Sequence, residues 1–332
     1  MKGKKKLLAR ILYYSGIHKV KWFNNKNKLI VFNYHRIKPN DNNFATPFDD
    51  DVFCPTVSVF IEQIKWLKQN VKILSEKELI DVLDAKRAPS GLNVLITFDD
   101  GYRDNYTLAY PALKKLNVPA IFFIPTNLIN TRQVGWWDII AYLIKNTKKP
   151  YIIFEDKKFL LHVERKKTIE FFNNKMKLEK AEKTANLLKT LAEVCEVDMP
   201  DFDKQDSQLM TWEQIREVSK NNISIGAHTH THRVLSTLDL TTQKEEMTLS
   251  KAILEREIEQ NVSSIAYPVG GHQHFTQESC NIAEQSGYKL GFSYNTGMDS
   301  WSTIHAFNIR RISAPENKTM LAVQAVLPRV FV

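Results

Sequence analysis

The chain has 332 residues, 43% of them hydrophobic and 25% charged, which is enough for one large or two ordinary globular domains with a buried core. Its formal net charge of +9 favours anionic partners but carries no information about the fold. The 3 cysteines are scattered, which excludes a disulfide framework and a CxxC metal site: Cys54, Cys195 and Cys280.

The first part of the chain is basic and then apolar. Lysines precede a short apolar run that Arg10 interrupts: Lys2, Lys4, Lys5 and Lys6. The run is too short for a membrane span, and no small-residue cleavage site follows it. We predict a basic amphipathic segment over residues 1–27. Either its residues 1–20 lie against an anionic membrane surface, or they form a solvated helix packed by Leu8, Ile11 and Leu12.

Short apolar runs then alternate with helical patterns. The predicted strands are residues 29–34, 71–74, 92–98, 120–124, 223–227, 264–267, 290–293 and 309–312. The predicted helices are residues 57–68, 211–220, 243–259 and 276–284. Thr211 and Gln214 have the spacing of a capping box at the start of the second of these helices. The alternation of strand and helix indicates a parallel sheet or barrel.

Residues 140–208 break this rhythm. Two β-rich runs around a polar turn predict a hairpin at residues 151–161, and a lysine-rich helical region follows at residues 163–197. We interpret the block as an insertion or subdomain carried on a catalytic domain at residues 28–332. It is either a lid or substrate platform or a surface elaboration without a role in catalysis.

Two adjacent carboxylates, Asp99 and Asp100, end the predicted strand at residues 92–98 and precede Gly101. Functional sites form at the carboxyl ends of strands in open sheets and barrels. Neighbouring side chains on a strand point to opposite faces, but a turn at Gly101 lets both carboxylates reach one cavity. Two carboxylates packed together repel unless a cation or a shared proton separates them. Taken alone, the motif is also compatible with a plain Asp-Asp-Gly turn.

Two imidazoles, His228 and His232, follow the predicted strand at residues 223–227. Their spacing of four residues places both on one side of a helical turn, whereas His230 points away. One Asp and two His are a ligand set for a catalytic divalent metal that leaves positions open for water and substrate. The remaining Asp is then free to act as base on the activated water.

These motifs resemble those of the polysaccharide deacetylases, carbohydrate esterase family 4. The similarity extends from about residue 28 to residue 315 and is weakest over the 140–208 block. Residues 97–101 resemble the first family motif and residues 228–232 the second. Three further segments resemble the Tyr-His-Arg opening, the Thr-Trp-Asp segment and the Tyr-Pro-x-Gly form of the third motif: residues 31–37, 210–215 and 266–271.

The resemblance implies an α/β fold, a distorted (β/α) barrel of about seven strands with an inserted hairpin-plus-helix block, and hydrolysis of an N-acetyl group from a sugar. Asp99 would be the catalytic base. The metal ligands would be Asp100, His228 and His232, holding Zn²⁺ or, alternatively, Co²⁺, Ni²⁺ or Mn²⁺. Thr229 would support the histidine loop. The substrate groove would be formed by Tyr267, Pro268, Val269 and Gly270.

The chain departs from the family pattern at two places. The common third motif begins with an Arg that steadies the catalytic Asp, and this chain has Ala266 there. Arg311 resembles the Arg of a late Pro-Arg-Ile segment and could take that role, or it is a surface or salt-bridged arginine. The motif that usually supplies the acid, Leu-x-His, has no good copy, so His305 and His35 are the candidates for this role. Either could equally be structural.

The predicted function is metal-dependent removal of an N-acetyl group from a surface polysaccharide or a lipid-linked glycan precursor. The predicted location is the cytoplasm, peripheral on the inner face of the cell membrane, with the cell envelope as the alternative. An O-acetyl esterase or a non-sugar amidase could use the same site. A non-catalytic basic binding protein is the alternative from another class. Nucleic acid is not an expected partner, because the basic residues are spread along the chain.

Overall fold

A computed structural model describes residues 2–16, 27–41, 43–85, 87, 89–201, 208–325 and 327, without the side chains of residues 2–6 and 181. Parts of three predictions lie outside the described residues. They are the ends of the N-terminal segment 1–27, positions 202–207 of the 140–208 block, and the last residues of the domain at 28–332.

The described strands are β1 (Lys28–Tyr34), β2 (Arg36–Lys38), β3 (Phe53–Thr56), β4 (Lys72–Ile73), β5 (Leu92–Phe98), β6 (Ala120–Ile124), β7 (Tyr151–Phe154), β8 (Lys157–Leu160), β9 (Ile223–Ala227), β10 (Ser264–Ala266), β11 (Leu290–Phe292), β12 (Asp299–Ser300) and β13 (Ile312–Ser313). The described α-helices are α1 (Lys2–Tyr14), α2 (Val57–Asn70), α3 (Glu76–Ala85), α4 (Tyr110–Leu116), α5 (Trp136–Asn146), α6 (Leu161–Leu178), α7 (Ala181–Cys195), α8 (Trp212–Ser219), α9 (Leu240–Ile258), α10 (Gln277–Gln285) and α11 (Lys318–Gln324). Short 3₁₀ turns at Asp50–Val52, Thr126–Leu128 and Leu235–Thr237, and a π-helical turn at Asn105–Ala109, connect them.

One curled sheet organises the chain. Its strand order is β11-β10-β9-β6-β5-β1-β12, with β4 paired to β5 and β13 paired to β1, so the described sheet has 9 strands. All pairs are parallel except β12 with β1. The predicted distorted (β/α) barrel is confirmed. The two strands beyond the main path, β4 and β13, are only two residues long.

The end of the sheet is tied back to its beginning by one late segment. Ile309 forms a parallel bridge with Phe292 of β11, and β13 pairs with Phe32 and Asn33 of β1. The predicted strand at residues 309–312 is therefore split into a single bridge and a short strand. This segment spans the space between the two sides of the curled sheet.

Side chains alternate strictly along the central strands, as the twofold period of an extended chain requires. The inward series forms an inner core that includes Leu29, Val31, Leu95, Ile121 and Phe123. The outward series packs under the helices and includes Ile30, Phe32, Val94, Ile96 and Phe122. The inward series of β1 and β5 ends in polar side chains at the carboxyl end of the sheet: Asn33, Thr97 and Asp99.

Side-chain caps explain where two of the predicted helices begin. Thr211 and Gln214 form the predicted capping box at the start of α8. The helix predicted at residues 243–259 begins earlier, at Leu240, because the Asp239 side chain caps it by accepting from the Thr242 N–H.

The inserted block is a hairpin followed by helices, as predicted. β7 and β8 pair antiparallel, and the predicted helical region at residues 163–197 is divided into α6 and α7. Together with α5 they enclose a second hydrophobic cluster that includes Ile152, Phe172 and Leu191. Because α5 contributes to this cluster, the structural block begins before residue 140, and the domain limits stay a prediction.

Helix α1 lies against α11, and its residue Ala9 is buried. Of the three residues predicted to pack this helix, Leu8 and Ile11 are 40% and 56% exposed, whereas Leu12 is half-buried. Both alternatives for this segment stay predictions. Of the helices that the structure describes, none is both long and apolar enough to cross a bilayer.

Candidate active site

A cavity of about 260 Å³ opens at the carboxyl ends of the central strands. Its lining combines the two strand-end motifs with residues from the late segment and from the inserted block: His35, Asp49, Val52, Asp99, Asp100, Trp136, Trp137, Asn173, Lys177, His228, His232, Val269, Tyr294 and Arg311. The predicted carboxylate pair and both predicted imidazoles therefore share one cavity.

Asp99 is 2% exposed, and each of its carboxylate oxygens accepts a hydrogen bond. Arg311 donates from Nη1 to Asp99 Oδ1 at 2.7 Å, and Asn33 donates from Nδ2 to Asp99 Oδ2 at 3.0 Å. Burial by itself raises the pKa of Asp99, but the charge of Arg311 outweighs it together with smaller contributions from the nearby imidazoles, and the net pKa lies below its ordinary value. Asp99 is thus held ionised and in a fixed orientation.

Arg311 is 1% exposed, so the alternative of a surface arginine is wrong. Its Nε donates to the Ser293 carbonyl at 2.9 Å, and its Nη1 also donates to Asn33 Oδ1 at 2.9 Å. It reaches Asp99 because the segment between Ile309 and β13 crosses from β11 to β1. A residue late in the chain thereby supplies the guanidinium that the Ala266 position does not.

Asp100 would point away from the cavity if the strand continued. Instead it has a φ of +71°, followed by Gly101 at +66°, and this left-handed turn brings its carboxylate beside that of Asp99. Asp100 Oδ1 lies 3.2 Å from His232 Nε2 and 3.5 Å from His228 Nε2. Burial opposes ionisation of Asp100, but hydrogen bonding with His228 and His232 holds its pKa well below the ordinary range.

The two histidines converge through an irregular loop and not through the helical turn that their spacing predicted. Residues 228–232 contain no helix, and Thr229 and His232 have positive φ angles of 59° and 57°. Thr229 supports the loop as predicted, since its Oγ1 accepts from the His232 N–H at 3.2 Å. From α9, Glu246 Oε2 accepts from the N–H groups of His230 and Thr231 at 2.9 and 2.7 Å.

The ligand-type atoms of Asp100, His228 and His232 lie within 4.8 Å of one another, and all three residues are buried. His228 Nδ1 is 2.8 Å from the Ala266 carbonyl, which fixes the ring so that Nε2 faces Asp100. A buried carboxylate with two imidazole nitrogens directed at it fits a divalent metal of the zinc class. His230 points elsewhere, as predicted, and its Nδ1 lies 2.8 Å from Thr126 Oγ1.

The predicted groove residues divide into one that lines the cavity and three that shape its loop. Val269 lines the cavity, and its φ of +61° turns it toward the site. Tyr267 does not: it is buried on the outer face of β10, where it stacks on Phe275 at 4.7 Å and donates to the Phe307 carbonyl. Pro268 is likewise buried beside it. A Cβ on Gly270 would lie 2.8 Å from the Tyr294 nitrogen, so only glycine fits there.

The two acid candidates occupy different places. His35 lines the cavity directly after β1, with its Nε2 3.9 Å from Asp99 Oδ2 and its side chain 28% exposed. His305 is exposed, does not line the cavity, and accepts from the Phe307 N–H through Nδ1 at 3.2 Å. The prediction for His305 is therefore not supported by its position, because it lies on the loop before the Ile309 bridge.

The sequence motifs do not identify several residues of the site. Asn33 lies in the segment that resembles the Tyr-His-Arg opening, and the sequence analysis assigns it no contact with Asp99. A polar side chain at an inward position of an apolar strand is the signal that could have indicated this contact. Tyr294, Trp136 and Trp137 lie outside the motifs. Asn173 and Lys177 belong to the lysine-rich helical region at residues 163–197, in which no motif distinguishes them.

Residues 86–291 match the family model described as polysaccharide deacetylase, which covers more than half of the chain. The chain belongs to the polysaccharide deacetylase family. It is accordingly a hydrolase of the class that acts on amide bonds.

Relatives among characterised and assigned proteins agree with the family. YxkH of Bacillus subtilis, which carries a provisional assignment as a polysaccharide deacetylase, is 26% identical over 274 residues, 82% of this chain and 67% of YxkH. A poly-β-1,6-N-acetyl-D-glucosamine N-deacetylase of Staphylococcus aureus is 34% identical over 177 residues, 50% of this chain and 58% of that enzyme. The chain thus matches little more than half of the staphylococcal enzyme.

Solved structures show the same fold. A Streptococcus pyogenes deacetylase, PplD, superposes with a TM-score of 0.60 at 20% identity, covering 91% of this chain and 99% of PplD. IcaB from Ammonifex degensii superposes with a TM-score of 0.56 at 18% identity, covering 90% and 97%.

A buried carboxyl group lies behind the imidazoles of this polysaccharide deacetylase. Asp138 is 0% exposed and accepts through Oδ2 from the Tyr102 hydroxyl at 2.9 Å, and Tyr102 in turn accepts from Trp137 Nε1 at 2.6 Å. The Trp137 ring lies 4.3 Å from that of His232. Burial raises the pKa of Asp138 to about 7, against the opposing charge of Arg36.

This pKa makes the contribution of Asp138 to stability depend on pH. The folded chain retains a proton that the unfolded chain loses near the ordinary carboxyl pKa, so the free energy of unfolding falls as the pH rises from about 4 to about 7. Asp138→Asn removes the titration. We expect the free energy of unfolding of the variant minus that of the unsubstituted chain to be about 2 kcal/mol larger at pH 8 than at pH 5. Urea denaturation at the two pH values measures this difference.

The matched control is Asp84→Asn, which changes an exposed carboxylate on α3. Its stability difference from the unsubstituted chain should stay constant over the same range. A constant difference for Asp138→Asn as well would show that Asp138 is already ionised in the folded chain.

Proposed function

We propose that the chain removes the N-acetyl group from a hexosamine of a bacterial surface polysaccharide or lipid-linked glycan precursor, with Asp99 as base and a divalent metal, Zn²⁺, held by Asp100, His228 and His232. The observation that carries the proposal is the division of labour between two adjacent carboxylates. Asp99 is bound to Arg311 and Asn33, whereas Asp100 faces two imidazole nitrogens.

The donor set supports the metal. Asp100 offers a carboxylate oxygen, and His228 and His232 offer Nε2, while the Ala266 carbonyl orients the His228 ring from behind. When bound, such an ion supplies Lewis acidity that polarises an acetamide carbonyl and lowers the pKa of water.

Asp99 accepts the proton of the attacking water in this mechanism. Its low pKa keeps it deprotonated over the neutral range, so the acceptor is always available. Arg311 and Asn33 hold both carboxylate oxygens by hydrogen bonds, which directs the remaining lone pairs toward the cavity. Arg311 acts through Asp99 and is therefore a positioning residue.

His35 donates the proton that the leaving amine requires. It is the acid candidate that lines the cavity, and its Nε2 lies on the Asp99 side of the site. An amine can leave only when protonated, because an amide ion is too poor a leaving group. Val269 borders the same cavity, and in this proposal its backbone N–H donates to the oxygen that gains charge.

The names of the relatives and the lining of the cavity support the proposed substrate class. The staphylococcal relatives are named for poly-β-1,6-N-acetyl-D-glucosamine. Trp136 and Trp137 give the cavity aromatic surface next to the polar residues of the site. Binding sites for small uncharged molecules commonly combine an apolar lining with a few convergent polar groups. An N-acetylglucosamine unit therefore fits the proposal.

Two substitutions separate the base from the metal ligands. Asp99→Asn should lower acetate release from N-acetylglucosamine oligomers at least about 100-fold, because proton transfer is lost, while the zinc content stays that of the unsubstituted chain. His228→Ala should lose both zinc and activity. Zinc content is measured by mass spectrometry of the purified protein and acetate by an enzymatic assay.

His305→Ala is the matched control, since this histidine lies outside the cavity and should keep both zinc and activity. Near-full activity of Asp99→Asn would remove the base assignment. Zinc retention in His228→Ala would remove the ligand assignment. Release of acetate only from O-acetyl xylan would favour an esterase.

We also propose that the protein binds peripherally to an anionic membrane, at the inner face of the cell membrane, through α1. The support is the surface of this helix, on which Leu7 is 61%, Ile11 56% and Tyr14 79% exposed, next to the basic side chain of Arg10. Exposed apolar side chains on a basic helix are typical of interfacial binding.

Vesicle sedimentation tests this surface. Leu7→Ser together with Ile11→Ser should reduce binding to vesicles that contain phosphatidylglycerol by at least about tenfold. The double variant lacks two apolar side chains that would be buried in the membrane interface on binding. Leu249→Ser, an exposed leucine on α9, is the control and should bind as the unsubstituted chain does. Equal binding of all three proteins would exclude α1 as the contact.

A further inference from the structure

One wall of the cavity comes from the inserted block. Helix α6 contributes Asn173 and Lys177, four residues apart and therefore on one helical face, and both line the cavity. These side chains are the part of the block that any molecule in the cavity would meet.

Lys177 differs from other lysines of its helix. Lys166, Lys167 and Lys175 each lie within 4.0 Å of a carboxylate: those of Asp51, Glu164 and Glu155. Within the described part of the chain, Lys177 has no such ion pair, and its Nζ donates a long hydrogen bond of 3.5 Å to Asn174 Oδ1. Lys177 is thus a half-buried residue of the cavity lining, and no carboxylate of the described residues lies within 4.0 Å of its ammonium group.

Two histidines and one carboxylate lie near Lys177: His272, His274 and Asp49. Burial lowers the pKa of Lys177, and burial with the charges of Lys177 and His272 lowers the pKa of His274, so the three groups are close enough to repel. Asp49 is the acid that also influences Lys177. Its two oxygens already accept from the Asp51 N–H at 3.0 Å and from Asn173 Nδ2 at 3.1 Å.

Asn173 adds an unused acceptor. Its Nδ2 is committed to Asp49, and its Oδ1 is buried without a hydrogen-bond partner among the described residues. Buried polar atoms in folded proteins usually have a partner, and an unpaired one at a cavity wall is a position for a ligand donor. A sugar hydroxyl or amide N–H can supply that donor.

We infer that Lys177 and Asn173 form a subsite for an anionic group, a phosphate or a carboxylate, that the substrate carries on or next to its N-acetylated sugar. Lys177 pairs with the anion, and Asn173 Oδ1 accepts from a neighbouring hydroxyl. The inference rests on the proposed deacetylation and adds the charge of the substrate to it. Of the carboxylates that line the cavity, Asp99 is paired with Arg311 and Asp100 faces the two imidazoles. Burial raises the pKa of Asp49, the third of them, and Asp49 is the acid that shares Lys177 with the anion.

Titration calorimetry on the zinc-loaded full chain tests the subsite. N-acetylglucosamine 1-phosphate is compared with neutral methyl N-acetylglucosaminide, and the disaccharide of glucuronate and N-acetylglucosamine is compared with neutral di-N-acetylchitobiose. At least one anionic sugar should bind about tenfold more tightly than its neutral match, since a charge-assisted contact is added. Which pair shows the preference identifies phosphate or carboxylate as the anion.

Three variants locate the effect. Lys177→Met keeps the apolar stem and should abolish the preference, whereas Lys177→Arg keeps the charge and should retain it. Lys167→Met makes the same change at an exposed position of α6 and should bind all four sugars as the unsubstituted chain does. The preference should also shrink as salt is raised from 0.05 to 0.5 M, by about threefold or more.

The inference is overturned if neither anionic sugar binds more tightly than its neutral match, or if Lys177→Met keeps the preference. A failure to bind any of the sugars at millimolar concentration also overturns it. Acetate release from neutral oligomers is measured separately, so loss of the charge preference with intact acetate release removes the subsite alone. A charge preference without acetate release from either the neutral or the anionic sugars removes the deacetylation alone.

Discussion

Two neighbouring carboxylates lie buried at one end of the sheet, and the rest of the site depends on how their charges are compensated. Asp99 and Asp100 are 2% and 4% exposed, and adjacent buried negative charges are tolerated only when each has a partner. Arg311 and Asn33 compensate Asp99, while His228 and His232 converge on Asp100. The same pairing that makes the carboxylates tolerable gives them different chemistry, because one is held by a guanidinium and the other is presented to nitrogen ligands.

The fold brings these partners together from distant parts of the chain. The late segment ties β11 to β1 and places Arg311 under Asp99. Left-handed backbone recurs at Asp100, Thr229, His232 and Val269, and such conformations cluster at functional sites because the surrounding structure must enforce them. Helix α6 of the inserted block then closes one wall of the cavity, so the block is part of the site's surroundings.

Local patterns predicted what local physics controls. The bounds of β5, β6 and β9 follow from apolar runs between turn residues, and the capping box at Thr211 follows from hydrogen-bonding groups at fixed spacing. The site residues that the motifs carried, Asp99, Asp100, His228 and His232, meet in one cavity. The rest depends on long-range geometry. No spacing indicates that Arg311 reaches Asp99 or that Tyr267, directly after β10, packs in the outer core. Nor does it indicate that His305 lies outside the cavity, or that Lys177 of the lysine-rich helical region borders it.

The central claim is that Asp100, His228 and His232 hold a divalent metal beside an ionised Asp99. The most direct measurement is anomalous diffraction at the zinc absorption edge from crystals of the full chain grown with Zn²⁺. The account predicts one strong peak in contact with Asp100 Oδ1 and with Nε2 of both histidines, while Asp99 stays on Arg311. Absence of a peak there, or a peak coordinated by Asp99 with Asp100 turned away, would contradict it.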